Sequence, residues 1–136
     1  MRQVFDSFAG FDDFALYLAL SLVLLALFVA VYVRVTPYRE ITLIREGNMA
    51  AAFSLSGSLL GFIIPLTAAV RFSVNLVDMA MWGLIALVVQ VAAFVVARIL
   101  IPSITEDIPA GKAAQGFFLG CLSLGVGLLN AACMSY

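Results

Sequence analysis

The chain of 136 residues contains no histidine, one lysine and two cysteines, and charged residues make up only 11% of it. Too few histidine and cysteine side chains are present for a zinc site, and we expect no metal or cofactor. A serine nucleophile needs a base within reach, and the one lysine, Lys112, lies in a loop. We therefore predict that the protein is not an enzyme. The net charge of -1 argues against a nucleic-acid partner, which requires a basic patch.

Hydrophobic residues, by contrast, make up 65% of the chain. A soluble domain carries roughly a quarter charged residues, so lipid must cover this surface. Four apolar runs can each cross the roughly 30 Å hydrocarbon core as a helix that rises about 1.5 Å per residue. They comprise residues 13–35, 49–70, 79–101 and 113–134. We predict an all-α integral membrane protein with four transmembrane helices in contact with the lipid bilayer. Tyr17 and Tyr32, near the two ends of the first run, are expected at the headgroup level.

The second and fourth runs are rich in small residues at four-residue spacing. Gly57 and Gly61 form one such pair, and Gly116 and Gly120 form another. Small residues let membrane helices approach closely, because hydrophobicity gives no preference between lipid and protein. These faces exceed what four helices need among themselves, so we predict a homo-oligomer. Pro65, late in the second run, is expected to bend its helix or to free a backbone carbonyl.

The segment 34–48, between the first two runs, is the most charged part of the chain. Two interpretations of its structure are open. It is either a short helix in the membrane interface that starts at Thr36-Pro37, or a tight polar turn. Its role is equally open. Its charged residues either stabilise the N-terminus of the second helix, through its free amides and dipole, or bind a partner. The candidate cytoplasmic contact loop consists of Tyr38, Arg39, Glu40, Arg45, Glu46 and Asn48.

The distribution of basic residues predicts the orientation in the membrane. The first and third loops contain Arg34, Arg39, Arg45, Arg98 and Lys112, whereas the rest of the chain contains Arg2 and Arg71. The positive-inside rule then places these two loops in the cytoplasm and both termini in the periplasm of a bacterial inner membrane. No acidic residue is expected inside the hydrocarbon core, since all eight lie in loops, in tails or, for Asp13, at the first residue of a run. That absence argues against a carboxylate-driven proton antiporter.

An internal repeat is suggested by a shift of 64 residues, which aligns Arg34 with Arg98 and Gly47 with Gly111. We interpret the match as a duplicated two-helix unit. The predicted divisions are an N-terminal periplasmic tail, 1–12, a first repeat, 13–70, and a second repeat, 71–136. Each unit crosses the membrane twice, so the two copies have the same orientation and are related by an axis along the membrane normal.

Several local strings of the sequence occur in combination. They are Thr36-Pro37-Tyr38 with Glu40, Leu43-Ile44-Arg45 with Gly47-Asn48, Ala50-Ala51-Ala52, Trp82-Gly83, Gln90, and Gly127-Leu128-Leu129-Asn130-Ala131-Ala132-Cys133-Met134. With them the chain resembles, from about residue 13 to its end, the YjfL-like family of small bacterial inner-membrane proteins, domain of unknown function 350. The resemblance implies four spans built from two copies of a two-helix unit, and it implies no activity. Family members are often encoded near envelope-stress, flotillin-like or polyamine-related genes, which implies membrane homeostasis and envelope-stress or flotillin-like membrane partners.

Two polar residues inside the apolar runs are candidate functional residues, because unpaired polar groups are unfavourable in hydrocarbon. Gln90 lies near the middle of the third run, and Asn130 lies about one turn from the end of the fourth. Each either lines a pore or makes a structural hydrogen bond. Two functions are accordingly considered. The first is a non-catalytic, oligomeric component of the envelope, and the second is a small ion or solute channel or transporter formed by the oligomer.

Overall fold

The computed structural model describes residues 1–134, and within that range the chain is all-helical, without strands. The seven helices are α1 (Arg2–Ala9), α2 (Phe11–Val35), α3 (Glu40–Arg45), α4 (Met49–Phe72), α5 (Leu76–Leu100), α6 (Ile104–Asp107) and α7 (Ala113–Cys133). Helices α2, α4, α5 and α7 are long and apolar enough to cross a membrane, and α1 extends the first of them toward the N-terminus. The predicted all-α fold with four transmembrane helices is confirmed, with helix ends within a few residues of those expected.

Helices α4 and α7 pack directly against each other through their glycines. A Cβ atom added at Gly57 would overlap the backbone of Gly120, and one added at Gly127 would overlap the backbone of Gly61. Gly116 has the same relation to Ala50. The small faces of these helices are therefore used within one chain. Gly125 of α7 is an exception, since a Cβ atom there would meet no atom within 4 Å, and the homo-oligomer stays a prediction.

Aromatic side chains hold α2 against the α4–α5 side of the bundle. The Phe28 and Phe62 rings stack with their centroids 4.6 Å apart, and Tyr32 meets Phe94 edge to face at 5.9 Å. All four residues are buried. Tyr32, which was expected at the headgroup level, turns its ring toward the other helices, and its hydroxyl has a partner there.

The first loop contains a helix, α3, but it begins at Glu40 and not at Thr36-Pro37. Thr36 instead ends α2: its backbone N–H donates to the carbonyl of Tyr32, and its own backbone is extended, with φ -74° and ψ 134°. A residue that precedes proline disfavours the helical conformation, so Pro37 separates the two helices. The alternative of a helix is therefore correct, and the predicted helix start is not.

The first and third loops lie at the same end of the bundle and finish with the same backbone turn. Gly47 and Gly111 have φ of +85° and +79°, a conformation that favours glycine. The Asn48 N–H donates to the Leu43 carbonyl at 2.9 Å, and Lys112 closes the corresponding turn of the third loop at 3.1 Å. Each turn ends a short helix and directs the chain into a membrane span. We call this end, residues 36–48 and 101–112, the two-loop end.

Candidate functional site

Gln90 lies at the centre of the bundle and joins three helices. Pro65 has no N–H to donate, so the Gly61 carbonyl, four residues earlier in α4, is left without its helical partner. The Gln90 Nε2 amide donates to that carbonyl at 2.9 Å and to the Ser123 carbonyl of α7 at 3.0 Å. The side chain is fully buried. Of the two interpretations of Gln90, a pore-lining residue or a structural hydrogen bond between helices, this geometry matches the second.

Three hydroxyl groups continue the polar contacts from Gln90 toward α2. Ser58 Oγ lies 3.3 Å from Ser123 Oγ and 2.9 Å from the Tyr32 hydroxyl, within hydrogen-bonding distance of both. Tyr32, Ser58 and Ser123 are fully buried. We call Tyr32, Ser58, Ser123 and Gln90 the polar line. It runs from the bundle centre toward the two-loop end.

Glu40 lies next to this end of the polar line, and its environment differs from what the sequence indicated. Its side chain is fully buried, and neither carboxyl oxygen has a hydrogen-bond partner among the described residues. Burial raises the pKa of the carboxyl from its ordinary 4.5 to about 8. The nearby Thr36 hydroxyl opposes part of that rise, but it donates to the Val33 carbonyl and is not in hydrogen-bond geometry with Glu40. The inclusion of Glu40 in an accessible contact loop was wrong, because its side chain is buried at the start of α3 and does not face water.

Tyr38 is the second residue of the proposed contact loop that the structure buries. Its side chain is 7% exposed, and its hydroxyl has no hydrogen-bond partner within residues 1–134. Burial, followed by the charge of Glu40, raises the pKa of the Tyr38 hydroxyl. Tyr32 lies within electrostatic range of Glu40 as well. Glu40 is thus flanked by two tyrosines, and Tyr38, like Glu40, is not available to a partner.

The other four residues of the predicted contact loop remain accessible. Arg39, Arg45 and Glu46 are exposed, and Asn48 is half-buried. The Asn48 Oδ1 atom accepts the Ala51 N–H at 3.0 Å, which caps α4. Its Nδ2 donates to the Ile108 carbonyl at 2.9 Å. One side chain therefore starts a membrane helix and joins the first loop to the third.

An open cleft of about 430 Å³ lies where the two loops meet. Its lining comprises Leu43, Glu46, Gly47, Asn48, Met49, Pro109, Ala110, Gly111 and Ala113. A second cleft, of about 330 Å³, follows the chain from Val33 to Thr42 and includes Glu40 in its lining. The two-loop end is thus a structured surface with concave features, and not a pair of independent turns.

Asn130 is not part of the polar line. It is half-buried in α7, and its Nδ2 atom has no hydrogen-bond partner in the described part of the chain. It follows Ser123 by seven residues, which places it about 10 Å further along the helix, away from the two-loop end. The structure therefore separates the two polar residues that the sequence singled out together.

Sequence reasoning missed the three hydroxyl members of the polar line. Ser58 lies in the second run, which was described only as rich in small residues, and Tyr32 was described only as an aromatic residue near a helix end. One signal was present, since Ser54, Ser58 and Gly61 lie on one face of α4 at helical spacing. That face is the one that α7 covers, so its hydroxyls are enclosed between helices.

Four long apolar helices with a buried polar line define a polytopic α-helical membrane protein. Within that class, the family described as Domain of Unknown Function (DUF350) matches residues 6–134. The chain belongs to this family, and the resemblance seen in its sequence is confirmed.

Curated relatives cover nearly the whole chain. The UPF0719 inner membrane protein YjfL of Escherichia coli, in strains K12 and O157:H7, is 37% identical over 134 residues, which cover 98% of this chain and 99% of the relative. The UPF0719 transmembrane protein YshE of Bacillus subtilis strain 168 is 27% identical over 122 residues, 88% of this chain and 91% of the relative. No solved structure matches the chain significantly.

Proposed function

We propose that the protein is a non-catalytic component of the bacterial inner membrane that binds other membrane proteins through its two-loop end. The observation that carries this proposal is the hydrogen bond from Asn48 to the Ile108 carbonyl, 2.9 Å long, which joins the two loops into one surface. Five of the seven basic residues lie in or beside these loops, so we place them in the cytoplasm and both termini in the periplasm. The relatives named inner membrane proteins support the location.

The exposed charges of the first loop supply the contact chemistry. Arg39 and Arg45 are exposed beside Glu46, and none of the three forms an ion pair within residues 1–134. Unpaired charges on a fixed surface favour oriented encounter with a complementary partner. An envelope-stress or flotillin-like membrane protein with an acidic cytoplasmic segment fits this surface.

In vivo photo-crosslinking tests this proposal. A photoreactive residue replaces Met49 at the rim of the cleft. It is introduced into three proteins: the otherwise wild-type chain, the Arg45→Glu variant and the Arg71→Glu variant. Arg71 is the matched control, because it is exposed at the opposite end of α4. We expect a defined adduct that Arg45→Glu removes and Arg71→Glu keeps. An adduct that persists in both variants would contradict the proposal, and so would crosslinking to lipid alone.

We also propose self-association, through the open face of α7 that carries Cys121 and Gly125. Cys121 is exposed, and a Cβ atom at Gly125 would meet no atom within 4 Å. A neighbouring helix can therefore approach Gly125 closely, as small residues permit in membranes. Oxidative crosslinking of a Cys133→Ser variant in membranes should give a dimer through Cys121, and Gly125→Leu should reduce it. Monomer alone at every protein density would remove this part of the proposal.

We also propose that the chain consists of two copies of a two-helix unit in parallel orientation. The two turns that end with Asn48 and Lys112 have equivalent hydrogen bonds and equivalent glycines, 64 residues apart. Helices α4 and α7 begin at the residues that follow them. This correspondence supports the divisions 13–70 and 71–136, with the tail 1–12 before them.

Transport of a small ion or solute is the second candidate, and the polar line is the observation that favours it. Buried polar groups inside a membrane bundle can line an ion or proton path, and this line extends from the bundle centre to the two-loop end. Flux into vesicles that contain purified protein, abolished by Gln90→Leu and altered by Asn130→Leu, would support transport. No flux for the wild-type chain would leave the binding function alone.

A further inference from the structure

The environment of Glu40 contains several polar oxygens, and within the described residues no basic side chain pairs with it, although Arg39 lines the same cleft. The elements around it are the end of α2, the segment 36–39 and α4. Their polar groups near the carboxyl are the hydroxyls of Tyr32, Thr36 and Tyr38, with Ser54 of α4 beside Tyr38. The titratable groups that face Glu40 are therefore two tyrosines, which are neutral at physiological pH.

Within the described residues, no basic residue in or beside the two-loop end forms an ion pair with Glu40. Arg34, Arg39 and Arg45 are all exposed. The ion pair found within the described residues joins Lys112 to Asp107, in the other loop. A carboxylate buried without a cation or a hydrogen bond is strongly unfavourable, and such a group binds a proton instead.

We propose that Glu40 is a proton-binding site, occupied while α3 is packed on the bundle and emptied when α3 moves into water. One carboxyl oxygen holds the proton, and on release the proton passes to solvent while the carboxylate gains hydration. The same carboxyl lies beside Tyr32, the terminal member of the polar line. A change of cytoplasmic pH would thus alter the first loop at the point where it meets the bundle interior.

The pH range over which Glu40 releases its proton lies close to neutral, where a change of pH can regulate the first loop. Because burial raises the pKa of Glu40 to about 8, the site is mostly occupied at neutral pH and empties as the pH rises above 8. The proposal does not depend on the partner-binding function or on transport. It states which loop residue responds to protons, whatever that loop binds.

Carbodiimide labelling of the wild-type full-length protein tests the site without any substitution. An apolar carbodiimide adds to a protonated carboxyl in an apolar environment and forms a stable N-acylurea, which mass spectrometry locates. We expect modification of Glu40 at pH 6.5 that falls at least tenfold at pH 9.5, with Glu46 unmodified at both. Glu46 is the matched internal control, because it is exposed one turn and a half further along the loop. Absence of labelling at Glu40 at pH 6.5 would overturn the proposal.

Infrared titration of the same protein in vesicles gives an independent measure. The carbonyl stretch of a protonated carboxyl should be present at pH 6.5, disappear with a midpoint near 8, and be missing from Glu40→Gln. Glu46→Gln should leave it unchanged. Replacement of sodium by choline in the buffer should not move the midpoint. A midpoint that depends on sodium would mean that the site holds a metal cation in place of the proton, which would overturn the proposal.

Discussion

The first and third loops share a backbone turn and each bury one acid, but the two acids have different surroundings. Asp107, in α6, accepts a hydrogen bond from Ser103 Oγ at 2.8 Å and pairs with Lys112 at 3.3 Å. Glu40, in α3, has neither kind of partner within the described residues. A buried acid with partners stabilises its loop as a carboxylate. A buried acid without partners makes the packing of its loop depend on a proton, so the first loop is expected to respond to pH.

The largest expected effect comes from Glu40→Gln, because a glutamine cannot bind or release the proton and so removes the pH dependence of stability. The unfolded chain releases this proton near pH 4.5 and the folded chain near pH 8. Between those values the folded state binds the extra proton, so wild-type stability falls as pH rises, by at most about 5 kcal/mol at 1.36 kcal/mol per pH unit. The thermal midpoint of the wild type in detergent should therefore drop more from pH 5 to 8.5 than that of Glu40→Gln. Parallel curves for the two proteins would contradict the comparison.

Asn48→Ala is expected to destabilise both loops together. It removes the α4 cap and the hydrogen bond to the Ile108 carbonyl, at a combined loss of roughly 2–3 kcal/mol. Hydrogen exchange followed by mass spectrometry should show faster exchange in α3 and in α6. Asn48→Asp keeps the cap and loses the donor, so it should spare the α4 end and loosen α6. Faster exchange in α3 alone would show that the loops are not joined.

Replacing either turn glycine tests whether the two loops have equivalent backbones. Gly47→Ala and Gly111→Ala each place a side chain in the left-handed region, where alanine is less stable by roughly 1 kcal/mol. Neither added Cβ atom would meet another atom within 4 Å, so the strain is conformational alone. We expect similar losses of thermal stability. A loss confined to one variant would weaken the proposed repeat.

Lys112→Gln should have the smallest effect, below about 1 kcal/mol, because the lysine side chain is 58% exposed and water screens its ion pair. The Ser103 hydrogen bond to Asp107 remains. The variant makes the third loop more like the first. A modest new pH dependence of stability, absent from a Lys112→Arg control, would sharpen the comparison, and a loss as large as that of Asn48→Ala would break it.

The sequence was informative about the membrane spans and less so about the loops. Twenty or so apolar residues define a span whatever its neighbours are, so α2, α4, α5 and α7 could be predicted. The burial of Glu40 could not, because an isolated charge between membrane spans is usually solvated. It depends on Pro37, which ends α2 early enough for α3 to turn its first residue inward.

The contact between Gln90 and Gly61 shows the same limit at the bundle centre. Pro65 predicted a freed carbonyl, and Gln90 was recognised as a polar group at membrane depth. That the two meet depends on which helices are neighbours, and apolar periodicity in a membrane does not determine that. The glycines of α4 and α7 were likewise recognised as a packing surface, but the sequence did not show how much of that surface is covered within the same chain.

The most direct test of the contrast between the loops is a carbon-13 NMR titration of the glutamate carboxyl groups in labelled full-length protein. The chain has three glutamates, Glu40, Glu46 and Glu106, so each carboxyl can be followed separately. One resonance should titrate with a midpoint near 8 and be missing from Glu40→Gln. If no glutamate of the wild type titrates above pH 6, the first loop does not bury a neutral acid and the account is wrong.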